Sequence, residues 1–99
     1  MMSANNDSGE RVLLRAVIRG RVQGVGFRYF AQHKAQELDI TGWVKNTPDG
    51  KVEIEASGEL QNINTFIDWM KIGPARAVIK NFSISEIFPE RKFDRFTIH

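Results

Sequence analysis

The sequence predicts an α+β domain in which two helices cover one face of a mostly antiparallel sheet, in the order βαββαβ with a short C-terminal strand. Three observations predict it. Residues 11–19 and 51–57 alternate apolar and polar side chains, the period of half-buried strands. Two stretches, from Phe27 to Leu38 and from Leu60 to Met70, repeat apolar residues at helical spacing. Gly and Pro separate the periodic segments at 47–50 and 73–74. The 99 residues fit one domain, and an apolar share of 41% suffices for one core.

The elements follow in order. In the first strand Val12, Leu14, Ala16 and Ile18 fall on one face, and Arg11, Leu13, Arg15, Val17 and Arg19 on the other. A glycine-rich loop, Gly20 to Gly26, leads into a helix of about three turns carrying Phe27, Phe30, Ala31, Ala35 and Leu38 on one stripe. Ile40 to Asn46 reads as a strand, Thr47-Pro48-Asp49-Gly50 as a turn, and Lys51 to Ser57 as the returning strand of a hairpin, with Val52, Ile54 and Ala56 inward. Ser57 is the expected N-cap of the second helix, with Glu59 in its first turn. Leu60, Ile63, Phe66, Ile67 and Met70 form that helix's buried stripe, and Gly73-Pro74 stops it. Ala77 to Phe88 is strand-like, with its alternation slipping between Ile79 and Phe82 as at a bulge. Phe93 to Ile98 gives the last short strand. This is the ferredoxin-like split β-α-β arrangement, a fold that by itself chooses no function.

Composition excludes several classes. The chain has no cysteine, which removes disulfide frameworks, thiolate metal sites and cysteine nucleophiles. His33 and His99 are isolated, too few for a zinc site. No apolar run approaches the roughly 18 residues of a membrane span. Residues 1–10 are polar and lack a signal peptide's apolar core, so they are expected to be a disordered leader to a domain over 11–99, and the protein to be cytoplasmic. Net charge is only +2, but no acid occurs between Glu10 and Glu37, where Arg11, Arg15, Arg19, Arg21, Arg28 and Lys34 lie. A locally positive end on a nearly neutral domain suits a small anion better than a long polyanion.

The chemistry is concentrated in Gly20-Arg21-Val22-Gln23-Gly24-Val25-Gly26-Phe27-Arg28. Three glycines let the backbone turn with its amides pointing inward. A helix starts immediately afterwards, presenting unpaired N–H groups and a partial positive charge. Between Gly20 and Phe27 there is no Ser, Thr, Asp or Asn to cap them. A cation, Arg28, sits in the first turn, where the helix dipole disfavours it by up to about 1 kcal/mol. A bound anion would accept the free amides and pair with the guanidinium. Competing motifs fail: the glycine spacing is not that of a dinucleotide loop, no Lys-Ser/Thr follows as in a nucleotide P-loop, and the aromatics straddle a loop and a helix, so they cannot form an RNA-stacking sheet face.

These nine residues resemble the signature of the acylphosphatases. Gly42-Trp43-Val44-Lys45-Asn46 with Asp49-Gly50 is similar to that family's second signature, and Gly73-Pro74, Ala77 and Phe96-Thr97-Ile98 fit as well. The resemblance spans about residues 11–99. It implies hydrolysis of a carboxyl–phosphate anhydride to carboxylate and phosphate, with no metal, no cofactor and no covalent phosphoenzyme. Residue by residue, it places Arg28 on the phosphate-binding arginine and Asn46 on the asparagine that positions the attacking water. It places Gln23, Gly24, Val25, Gly26 and Phe27 on the loop whose amides hold the phosphate.

The residue types suit those roles. Arg stays charged and presents paired planar donors to phosphate oxygens. Asn cannot act as a base, but its amide oxygen can accept from a water and orient it. The expected partner is a small-molecule acyl phosphate, with no nucleic acid and no membrane, and the expected state is a monomer. His33, about 140° around the helix from Arg28, is expected in solvent, and Glu53 and Glu55 on an outer strand face. Two rival readings remain: a non-enzymatic module of the same fold that binds a phosphorylated ligand, and an RNA binder. The presence of both Arg28 and Asn46, with no further domain expected after His99, favours an enzyme over the first. Glu53 and Glu55 disfavour the second.

Overall fold

The computed structural model describes residues 9–91 and 93–99. Most of the expected leader therefore lies outside the described residues, Gly9 and Glu10 excepted. The elements are β1 (Arg11–Arg21), α1 (Phe27–Glu37), β2 (Thr41–Asn46), β3 (Val52–Glu59), α2 (Leu60–Ile72), β4 (Val78–Glu86) and β5 (Phe96–Ile98). The sheet order is β4-β1-β3-β2-β5. β1 is antiparallel to both β3 and β4, β2 is antiparallel to β3, and β2 and β5 run parallel. This is the βαββαβ topology that the sequence predicts.

The helical stripes pack on one sheet face. Phe27, Ala31 and Ala35 of α1 and Ile63, Phe66, Ile67 and Met70 of α2 are buried against Val12, Ala16, Ile18, Val44, Val52, Ile54 and Ala56. Phe96 anchors β5 beneath the helices, edge-on to Phe66 with ring centroids 6.0 Å apart. The expected bulge is present: Arg19 pairs with Asn81 and Gly20 with Ile79, leaving Lys80 as the extra residue of β4.

The chain must travel from β4 at one sheet edge to β5 at the other, and residues 87–91 and 93–95 lie over the face opposite the helices. Ser57 Oγ donates to Glu90 at 2.8 Å, Arg91 Nη2 donates to Glu55 at 3.0 Å, and the Phe93 amide donates to Thr41 Oγ1 at 3.4 Å. This crossing corrects three expectations. Leu13, assigned to the exposed face of β1, is fully buried. Glu55 does lie on the outer face of β3 but is only 6% exposed, held between Arg15 and Arg91. Ser57 is not an N-cap: it is a buried strand residue, and β3 continues to Glu59, which is the N-cap of α2 without a side-chain bond. The carbonyl of Glu10 takes the capping role, accepting from the Leu60 amide at 2.9 Å.

One consequence of topology positions the site. β1 and β2 are both antiparallel to β3, and β5 is parallel to β2. The C-terminal ends of β1, β2 and β5 therefore lie at one end of the sheet, which brings the 22–26 loop, Asn46 and His99 together.

Candidate active site

At that end lies a pocket of about 180 Å³. Its floor is the start of α1. Gly26 is the N-cap, with φ 83° and ψ 19°, no side-chain cap and no acidic residue in the first turn. The first helical bond runs from the Phe30 amide to the Gly26 carbonyl at 3.0 Å. The amides of Phe27, Arg28 and Tyr29 precede it and have no intrahelical acceptor. Gly24 and Gly26 have φ of 74° and 83°, and a Cβ on either would meet no atom within 4 Å. Glycine is required there by backbone conformation rather than by space.

Arg28 lines the pocket and is half-buried. Its Nη1 donates to the main-chain oxygen of His99 at 3.1 Å. Among the described residues no Asp or Glu side chain pairs with it, whereas Arg11, Arg15, Lys45 and Arg91 on the opposite sheet face all have acidic side-chain partners. Asn46, the last residue of β2, lines the same pocket. Its Oδ1 is buried with no hydrogen-bond partner, a state that costs about 1–3 kcal/mol. An arginine without an Asp or Glu partner and a buried acceptor without a donor thus share one small cavity.

The β2–β3 turn that carries Asn46 is tightly bonded. The Gly50 amide donates to the Thr47 carbonyl at 3.1 Å and the Lys51 amide to Thr47 Oγ1 at 3.0 Å. The Thr47 hydroxyl donates to Asp49, and Lys51 Nζ lies 2.9 Å from the same carboxylate. The hydroxyl first, then the lysine, holds the Asp49 carboxyl below the usual carboxylate range, at about 2.

Of the residues singled out from sequence, Gly24, Gly26, Phe27, Arg28 and Asn46 line the pocket together. Gln23 and Val25 belong to the same loop but do not line it. Gln23 turns its side chain away, to the carbonyls of Thr47 and Lys51. Val25 packs against the core. Sequence reasoning missed Val22 and Tyr29, which complete the lining; Tyr29 is 75% exposed and stands at the rim. Being next to Arg28 was the only signal available for Tyr29. His33 is exposed on the α1 surface, 3.6 Å from Glu37. Among the described residues no group of three or more His, Cys, Asp or Glu is placed to hold a metal, and no helix is long and apolar enough to cross a membrane.

Known proteins resemble this chain in sequence and in fold. The acylphosphatase family model matches residues 14–98. The chain is 47% identical over 75 residues to the acylphosphatase of Acaryochloris marina, covering 76% of this chain and 81% of that protein. It superposes on the structure of an acylphosphatase from Coxiella burnetii with a TM-score of 0.87 at 33% identity, over 97% of this chain and 100% of that one. For the acylphosphatase of Bacillus subtilis the TM-score is 0.86 at 39% identity, covering 89% and 98%. A family match over residues 14–98 and a matching fold lead to one conclusion: the protein belongs to the acylphosphatase family and is an enzyme of the hydrolase class.

Proposed function

We propose that this chain hydrolyses acyl phosphates by holding the phosphoryl group between the 22–27 loop, the first turn of α1 and Arg28, while Asn46 orients the attacking water. The observation that carries the reading is the shared pocket, where Arg28 and the unpartnered Asn46 Oδ1 meet at an uncapped helix start. The phosphoryl oxygens accept from the amides of the loop and helix start and from the guanidinium. Asn46 Oδ1 accepts one hydrogen from the water and fixes its oxygen opposite the leaving carboxylate. A bond forms between the water oxygen and phosphorus as the phosphorus–acyl oxygen bond breaks. The acyl group leaves as a carboxylate, and inorganic phosphate retains the water oxygen.

The leaving carboxylate is a weak base and needs no acid to assist it. The water loses its proton to a phosphoryl oxygen or to solvent, so neither Arg28 nor Asn46 has to change protonation. Catalysis is then positioning plus stabilisation of charge on the transferring phosphoryl group, both of which these residues supply. The guanidinium and the amides provide the positive field that the reaction needs, so turnover is expected to persist in chelator. The test is hydrolysis of benzoyl phosphate, followed together with competitive inhibition by inorganic phosphate. Inhibition without turnover in the folded protein would leave the pocket as a binding site and contradict the reading.

A further inference from the structure

Gln23 lies in the phosphate loop, yet its side chain serves a different element. Nε2 donates to the carbonyl of Thr47 at 2.8 Å and to the carbonyl of Lys51 at 2.9 Å. Both N–H hydrogens of one nitrogen are thereby used, on acceptors that flank the β2–β3 turn. Each carbonyl already accepts a bond from within the turn, Thr47 from the Gly50 amide and Lys51 from the Thr47 amide. A carbonyl has two acceptor sites, and Gln23 takes the second on each. The turn is therefore closed without Gln23, and the glutamine adds a cross-brace rather than a missing turn bond. The brace joins the loop that precedes α1 to the residue immediately after Asn46.

We infer that Gln23 is a positioning residue that sets the separation between the phosphate loop and Asn46, and so governs the alignment of the attacking water rather than the binding of phosphate. This rests on the function proposed above. A primary amide at this reach is the chemistry the geometry requires. Glutamate cannot donate, leucine has no hydrogens to give, and asparagine is one methylene too short to reach both carbonyls. In that function phosphate is held by the main chain of the loop and by Arg28, while the Gln23 side chain is committed to Thr47 and Lys51 and does not line the pocket. Loosening the brace leaves those contacts in place and lets Asn46 move relative to them. A misplacement of about 1 Å in a positioned reactant is worth about 100-fold in rate.

The test compares wild type with Gln23→Leu and Gln23→Asn, measuring kcat on benzoyl phosphate and the inhibition constant of inorganic phosphate. Gln23→Asn keeps an amide in the loop and guards against loss of fold in the leucine variant. The expected result is a fall in kcat of about 10- to 100-fold in both variants, with the phosphate constant within about threefold of wild type. An unchanged kcat overturns the inference. A phosphate constant that weakens in step with kcat also overturns it, because the glutamine would then be holding the loop itself. Absence of turnover in the folded wild type would instead overturn the functional reading, and this inference with it.

Discussion

Arg28 of α1 and His99 at the end of β5 are joined across the sheet edge, the guanidinium Nη1 donating to the His99 main-chain oxygen at 3.1 Å. His99 is itself fixed: its amide donates to the Val44 carbonyl at 2.8 Å, and its ring stacks on Trp43 at 6.0 Å between centroids. One nitrogen of the fork is thus held by the sheet. Under the proposed function this orientates Arg28 before substrate arrives, so less rotamer freedom would be lost on binding.

That orientation makes Arg28 irreplaceable by charge alone. Arg28→Ala is expected to lower kcat/KM by at least about 100-fold and to abolish inhibition by phosphate. Arg28→Lys should recover little, since an ammonium cannot bond His99 and two phosphoryl oxygens in one plane. Steady-state kinetics with phosphate as competitor measures both.

Asn46 should separate turnover from both binding and stability. Asn46→Ala is expected to lose at least about 10-fold in kcat while the phosphate inhibition constant stays within about threefold. The same change removes a buried acceptor that has no partner. Its thermal midpoint should therefore equal or exceed that of wild type, by up to the equivalent of about 1–3 kcal/mol. Calorimetry with and without phosphate checks this, and a marked drop in midpoint would assign Asn46 a structural task instead.

Gly26→Ala tests the helix start. The site has room for a methyl group, so the cost is the left-handed backbone alone, about 1–2 kcal/mol, and urea unfolding should show it. Relaxation of that backbone turns the amides of Phe27 and Arg28, so phosphate affinity should weaken more than it does in Asn46→Ala.

The Asp49 carboxyl, held at about 2 by Thr47 and Lys51, ties turn stability to acid. Its folded value lies below the ordinary unfolded one of about 3.9. The contribution is complete above about pH 4 and is lost as pH falls through about 2. Asp49→Asn should therefore flatten the dependence of the unfolding midpoint on pH between about 4 and 2 and leave activity near pH 7 within about threefold. Midpoints measured across that range decide it.

Much of this was legible from the sequence. The stripes of both helices, the hairpin and a bulge between Ile79 and Phe82 follow from periodicity, and the register places that bulge at Lys80. The anomaly of Arg28 behind an uncapped glycine loop points to residues that line one pocket with Asn46. What escaped notice depends on contacts distant along the chain. Leu13, Glu55 and Ser57 look like outward or capping residues because nothing near them announces that the segment after β4, with Glu90 and Arg91, will cross above. Gln23 reads as one more loop residue, since its partners lie in the turn after β2. Ser57 has the right chemistry for an N-cap, but β3 continues two residues further and the Glu10 carbonyl serves α2 instead.

The most direct test of the central claim is hydrolysis of benzoyl phosphate, in the presence of chelator, by wild type and by Arg28→Ala. Turnover that survives the chelator and disappears in the variant, with both proteins folded, is the predicted result. Turnover that disappears with chelator, or persists undiminished without Arg28, would contradict a mechanism built on the guanidinium and the amides around it.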